Sequence, residues 1–179
     1  YQLSFTVHNE LQIQWLQQFP VAAQFKVFLK MNNGMNRLGF TPEHYVHAWQ
    51  QLKGLASVKE LVHMMHFSDA DGERQGQSGI EYQHQVFQQI LQQYPGPCSV
   101  SNSAAILRYS SQLRSDYARS GIMLYGSSPD FPRHTIQDWN LQPSMSLRSE
   151  IISIQQLNPN DSIGYGSSFV ADRPMRVGI

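Results

Sequence analysis

A short apolar run followed by an amphipathic stretch recurs along most of this chain, and that alternation restricts its fold more than any other feature. Phe5-Thr6-Val7 precedes a helix-like segment, Glu10 to Gln18, in which Leu11, Ile13, Trp15 and Leu16 are apolar and glutamines fill much of the rest. Lys26 to Met31 is the second run. After a glycine-containing turn, Thr41-Pro42-Glu43 opens a helix, with Thr as N-cap, Pro at the first helical position and Glu in the first turn. Val58 to Phe67 is the third run, and Gly79 to Tyr94 follows as a Gln-rich helix with Val86, Phe87, Ile90 and Leu91 on its apolar side. Ser99-Val100-Ser101 reads as a short fourth strand, and a fifth precedes Gly121-Ile122-Met123-Leu124-Tyr125-Gly126. Strands alternating with helices at this spacing predict βα units around a parallel sheet.

Length limits how many units there are. A closed eight-unit barrel takes ~250 residues, or about 31 per unit, so residues 1–140 hold four or five units and cannot close. Beyond Pro143 the helical period stops. Ser146 to Ile154 alternates like an extended strand, Asn158-Pro159-Asn160-Asp161 is a turn, and Val170 to Ile179 has no helical spacing. The expected fold is therefore α/β: a partial (β/α)8 TIM-type barrel, its later half, over residues 1–140. The first strands of an all-β C-terminal domain follow over 141–179. The chain opens on Tyr1, carries no signal or transit peptide, and stops within a strand-like Met175 to Ile179, so it reads as an internal piece of a longer polypeptide.

Composition excludes several classes of partner. Thirteen basic and thirteen acidic side chains cancel, which argues against nucleic acid or an anionic membrane as the main partner. A mean hydropathy of -0.39 and the lack of a long apolar run argue against a membrane span. The single Cys98 rules out a disulfide framework and a multi-cysteine zinc site, and suits a cytoplasmic protein. With no adjacent base, Cys98 reads as a buried structural thiol. Asp69 and Asp71 beside His66 lack a further ligand in register, so no metal is expected and the segment reads as a solvated loop. His44 and His47 read as surface residues, and the Gln-rich helices as solvated outer faces. Asn32-Asn33-Gly34 lacks the glycine spacing of a dinucleotide loop.

Four blocks carry more polar residues and glycines than packing needs: Lys30 to Phe40 (KMNNGMNRLGF), His66 to Asp71 (HFSDAD), Ser101 to Ala105 (SNSAA) and Asp116 to Gly126 (DYARSGIMLYG). Each follows or ends an expected strand, the face on which βα barrels build their sites. In this order and spacing they resemble the alanine racemases, fold-type III enzymes that use pyridoxal 5′-phosphate (PLP). Leu141 to Ser149 and Ser162-Ile163-Gly164-Tyr165-Gly166 extend the likeness over nearly the whole chain. Departures are small: Met65 stands where Thr often precedes the His, Ser101 where Ala is common, and Ser120 where Pro is common.

The resemblance implies roles. Arg119 donates to the pyridine nitrogen of PLP, and, because a guanidinium keeps its proton, it leaves the ring a weaker electron sink. Ser103, Gly121 and Ile122 form a phosphate cradle, with a hydroxyl and backbone N–H groups at a helix start, and Asn102 lies in the same shell. Serine as an N-cap and glycine as a turn are the bland alternatives, compatible with that role. His66 orients Arg119. Arg37 reaches the cofactor's phenolic oxygen and the substrate carboxylate. Lys30 is a candidate for carbamylation, which would turn a repelling cation into an acceptor for Arg37; the alternative is an unmodified amine pointing to solvent. Neither catalytic base is in this chain: the PLP-binding lysine falls before Tyr1 and the catalytic tyrosine after Ile179, and Tyr165 belongs to a different motif.

The expected function is PLP-dependent interconversion of L- and D-alanine in a cytoplasmic homodimer that supplies D-alanine for peptidoglycan, with this piece inactive alone. Two rivals are a non-catalytic PLP-binding or dimerisation module and a racemase of broader amino-acid range.

Overall fold

The computed structural model describes residues 3–19 and 23–179, and these fall into two compact units that divide between Ser144 and Met145. In the first, β1 (Ser4–Val7), β2 (Phe25–Lys30), β3 (Val58–Met64) and β4 (Cys98–Ser99) form one sheet in sequence order, every pairing parallel. Helices α1 (Glu10–Gln18), α2 (Pro42–Lys53) and α3 (Ile80–Gln93) connect successive strands, and α4 (Ser103–Tyr109) follows the last. Parallel neighbours in sequence order, each joined by a helix, make consecutive units of a barrel wall.

The period-2 pattern of β2 sorts its side chains. Val27 and Leu29 are fully buried toward the helices, whereas Lys26, Phe28 and Lys30 alternate onto the opposite face. On α2 the spacing i, i+3, i+4, i+7 puts Tyr45, Ala48, Trp49 and Leu52 on one buried face. Burying each large side chain there contributes about 1.5–3 kcal/mol. Asn9 caps α1 by accepting from the Gln12 N–H at 3.1 Å. Thr41 is the N-cap residue of α2, although its side chain makes no capping bond.

A polar network closes the core on the helix side. His63 stacks on Trp49 with ring centroids 3.6 Å apart, its Nδ1 lies 2.9 Å from the Tyr45 hydroxyl, and its Nε2 lies 2.8 Å from the Tyr94 carbonyl. Burial pushes the pKa of His63 down to about 4, so the ring is neutral; with Nε2–H donating to Tyr94, Nδ1 is the acceptor for Tyr45. Cys98 is buried in β4 and burial raises its thiol pKa, which makes it a structural thiol.

Two expected strands differ. Residues 116–119 form no strand, although the Tyr117 and Arg119 N–H groups donate to the Cys98 and Ser101 carbonyls and lay the segment along β4. The regular ladder is interrupted because the Cys98 and Val100 N–H groups donate instead to the Asp116 carboxylate and the Ser115 hydroxyl. Residues Ile122–Tyr125 then turn as a 3-10 helix. In the second unit the extended reading of Ser146 to Ile154 holds only at its end. Antiparallel pairs β5 (Ile154–Leu157) with β8 (Met175–Gly178) and β6 (Ser162–Ile163) with β7 (Phe169–Val170) make this unit. Upstream of β5, Leu147 is 97% and Ile152 85% exposed, so the alternating side chains have no layer to pack against among the described residues. The expected turn is present, with the Asn158 N–H donating to the Asp161 carboxylate at 2.7 Å. No helix among the described residues is long and apolar enough to cross a membrane.

Candidate active site

The polar blocks gather at the C-terminal ends of β2, β3 and β4. Backbone bonds from Phe40 to the Lys30 carbonyl and from Asn32 to the Phe40 carbonyl fold the Lys30–Phe40 segment back on itself. Gly39 makes this closure possible: its φ is +117°, and a Cβ would come 2.7 Å from the Lys30 carbonyl oxygen. Gly34 does the same for Gln83, whose amide would lie 2.6 Å from a Cβ there.

Gln83 is an exception to the reading of the glutamines of α3 as its solvated outer face. It is fully buried, and its amide donates to the Ser68 hydroxyl at 2.7 Å and to the Ser78 carbonyl at 3.1 Å while its oxygen accepts from the Ser68 N–H. Its own carbonyl accepts from the Asn33 side chain at 2.6 Å. One glutamine thereby ties the loop after β2 to the loop after β3. Glutamine-rich helical sequence masks such a position, because burial depends on which of many identical side chains faces the loops.

A cavity of about 310 Å³ opens between these loops and α4. Six of the residues singled out in the sequence line it: His66, Asn102, Ser103, Arg119, Gly121 and Ile122. Arg119 is held by three contacts on the wall. Its Nη1 donates to the Ser99 hydroxyl at 2.6 Å, and its Nη2 donates to the Met65 carbonyl at 2.6 Å and lies 3.3 Å from His66 Nδ1. One Nη1 hydrogen and the Nε–H remain for a ligand. Burial lowers the Arg119 pKa to about 10, which still leaves it a cation at neutral pH. Ser99 and the Met65 carbonyl were not singled out in the sequence, where both read as strand residues.

At another part of the lining, Ser103 Oγ accepts from the Gly121 N–H at 2.8 Å and from the Met123 N–H at 3.4 Å. Its own hydrogen is then free to donate. A Cβ on Gly121 would meet only that oxygen, at 3.5 Å, so packing alone does not demand glycine there. The N-cap of α4 is Asn102, not Ser103: Asn102 Oδ1 accepts from the Ala105 N–H at 3.0 Å. Its amide nitrogen lies 3.4 Å from His66 Nε2. Burial, then Arg119, Lys30 and Arg37, push the His66 pKa down to about 4.

Lys30 and Arg37 are not among the residues lining that cavity. Lys30 is buried, which removes the solvent-pointing reading; burial, then Arg119 and Arg37, lower its pKa to about 8. Arg37 is exposed on the loop after β2. Asp71 lines the cavity despite reading as a solvated loop residue, while Asp69 pairs with Arg74 at 3.0 Å. The described residues contain no group of three or more His, Cys, Asp or Glu able to hold a metal ion.

The donor set fits PLP. A phosphate needs a donor beside backbone that it can approach closely, supplied by the free Ser103 hydroxyl hydrogen and by Gly121 without a Cβ, and the ring nitrogen needs a donor, supplied by Arg119. Ser99, Met65 and His66 fix that guanidinium, so little ordering is left for binding.

Parallel βα units with a cationic, hydroxyl-bearing cavity at their strand ends, followed by a separate β unit, define the class as a partial βα barrel joined to a β domain. Residues 1–129 match the family described as alanine racemase, N-terminal domain, and residues 144–179 match alanine racemase, C-terminal domain. The chain belongs to the alanine racemase family. It is 67% identical over all of its residues to an alanine racemase of Acinetobacter baumannii strain SDF, and 53% identical over 97% of its residues to one of Leptothrix cholodnii. The shares of those relatives covered are 49% and 46%, so the chain spans about half the length of the curated relatives it matches. Among solved structures, the biosynthetic alanine racemase of Pseudomonas aeruginosa matches with a TM-score of 0.83 and 32% identity, over 99% of this chain and 48% of that one.

Proposed function

We propose that the full-length protein is a PLP-dependent alanine racemase, acting as a cytoplasmic homodimer whose D-alanine serves peptidoglycan synthesis. The observation that carries this reading is Arg119, a cation fixed by Ser99, the Met65 carbonyl and His66 in a cavity that also holds Ser103 and Gly121.

When bound, PLP supplies an electron sink that acidifies the α-proton of an amino acid. Arg119 would donate to the ring nitrogen and, because a guanidinium retains its proton, would keep that sink weaker than a protonated ring. Ser103, with Gly121 and Ile122, would hold the phosphate, and Asn102 caps α4 beside it. His66 stays neutral and braces Arg119. Arg37 takes the substrate carboxylate and the phenolic oxygen, and Lys30, carbamylated, would accept hydrogen bonds that steady Arg37. The lysine and tyrosine that move the proton belong to parts of the full-length protein outside this chain. Incubating the full-length protein with PLP and L-alanine should yield D-alanine; racemisation no faster than with free PLP would overturn the proposal.

A further inference from the structure

A buried carboxylate lies behind the cavity, outside its lining. The Asp130 side chain is fully buried; its Oδ1 accepts from Trp139 Nε1 at 2.9 Å and from the Ser128 hydroxyl at 3.0 Å, and its Oδ2 lies 2.6 Å from His134 Nδ1. Burial alone would raise its pKa, but these donors outweigh burial and hold it below the usual range. Facing Oδ2 at 3.8 Å is Nε of Arg108, from α4. The same guanidinium donates Nη1 to two carbonyls, Ala70 and Gly72, each at 3.0 Å.

Arg108 therefore joins three segments, and each of them lines the cavity. The loop after β3 contributes His66, Ser68 and Asp71; α4 contributes Ser103 and Ala104; the segment after Arg119 contributes Gly121, Ile122 and Pro129. Arg108 itself does not line the cavity, and its side chain is 11% exposed. The guanidinium's separated nitrogens meet the two carbonyls through Nη1 and the carboxylate, at ion-pair distance, through Nε, a span that the single nitrogen of an ammonium does not have.

The geometry points to Arg108, charge-paired with Asp130, as the positioning residue that sets the spacing of the phosphate cradle. This rests on the reading of the cavity as a PLP site. Ser103 sits at the start of α4 and Arg108 in its last turn, so the pull of Arg108 on the 70–72 loop and on Asp130 fixes where the Ser103 hydroxyl stands relative to Gly121. Arg133 of the segment after Arg119 also meets the loop after β3, pairing with the exposed Glu73 carboxylate at 2.9 Å, but Arg108 makes its bridge from α4, the helix that carries Ser103.

The test compares PLP with pyridoxal, which has the same ring and aldehyde and lacks the phosphate. Dissociation constants for both are measured by fluorescence or absorbance titration of the full-length apoprotein, unaltered and as Arg108→Met, Arg108→Lys and Asp130→Asn, with the melting temperature of each apoprotein alongside. The preference of the unaltered protein for PLP over pyridoxal should fall about tenfold in Arg108→Met, the scale of one lost charge-assisted hydrogen bond. Arg108→Lys and Asp130→Asn should lose part of it, and pyridoxal binding should stay within about twofold, set by the same scale. A role in stability alone would lower the melting temperature and leave the preference intact, and that result in Arg108→Lys, the mildest change, would overturn the inference. Equal affinity of the unaltered protein for the two compounds would instead overturn the cradle itself.

Discussion

Arg119 Nη2 lies 3.3 Å from His66 Nδ1, while Asn102 Nδ2 lies 3.4 Å from His66 Nε2, and a neutral imidazole can accept at only one of its nitrogens. The charged donor decides between them, because hydrogen bonds from a cation are about twice as strong as neutral ones. Nδ1 is therefore the acceptor and Nε2 carries the proton. This tautomer holds the guanidinium in line without competing for its charge.

Replacing Arg119 tests the mechanism most directly. In Arg119→Glu a carboxylate takes the place of the donor and favours a protonated ring, which deepens the electron sink. Racemisation should fall by about 10- to 100-fold, the scale of a lost charged hydrogen bond. Slow transamination of the cofactor, seen as a changed absorbance spectrum, should appear. An unchanged rate with an unchanged spectrum would show that Arg119 does not face the ring.

Gly34 and Gln83 give a prediction about stability. A methyl at Gly34 must displace the Gln83 amide and adopt a φ of +150°, so Gly34→Ala should cost about 1–3 kcal/mol. Gln83→Leu leaves the Ser68 N–H and the Ser78 carbonyl without their partner and should cost about the same. Both losses are read as lowered urea midpoints. A Gly34→Ala protein as stable as the parent would show that the two loops are not locked together through Gln83.

The sequence carried the strands and helices far because their side-chain periods report on burial, as on β2 and α2. Lys30, His66, Ser103 and Arg119 stand in polar blocks at expected strand ends, but their roles come only from the resemblance of those blocks to a known family. Gln83, Ser99 and Arg108 were not legible. Their roles depend on which distant loop each side chain meets, and nothing local to Gln83 separates it from neighbouring glutamines. The same holds on the face of the sheet away from the helices, where Lys26, Glu60 and Tyr117 join at 2.7 to 2.9 Å across three separate segments.

His63 predicts acid sensitivity. Its pKa falls from 6.5 in the open chain to about 4 in the fold, so between those values the unfolded chain binds more protons. Stability from this group is complete above pH 6.5 and is lost as pH falls through about 4, a difference on the order of 3 kcal/mol at about 1.4 kcal/mol per unit. His66 shifts in the same direction. His63→Phe keeps the stacking on Trp49 but leaves the Tyr94 carbonyl unpaired, so its melting temperature should be lower at pH 7 and should change less between pH 7 and pH 4.5. An equal acid shift in both proteins would rule His63 out as the source.

Lys30 gives the last prediction. Carbamylation joins the neutral amine to carbon dioxide and releases one proton, so it needs an amine that is unprotonated near neutrality. A pKa lowered to about 8 leaves about a tenth of Lys30 neutral at pH 7, far more than for an ordinary lysine. Burial, the largest cause of the lowered pKa, disfavours any charged form, but the fields of Arg119 and Arg37 that oppose the ammonium favour the negatively charged carbamate. The full-length protein in 13C-labelled bicarbonate should show one carbamate carbon resonance that is absent in Lys30→Ala. Racemisation in Lys30→Ala should fall about tenfold, the scale of one lost charged contact on Arg37, and small carboxylates such as acetate should restore part of it. The same resonance in Lys30→Ala, or no resonance in the unaltered protein, would leave Lys30 as an unmodified buried amine.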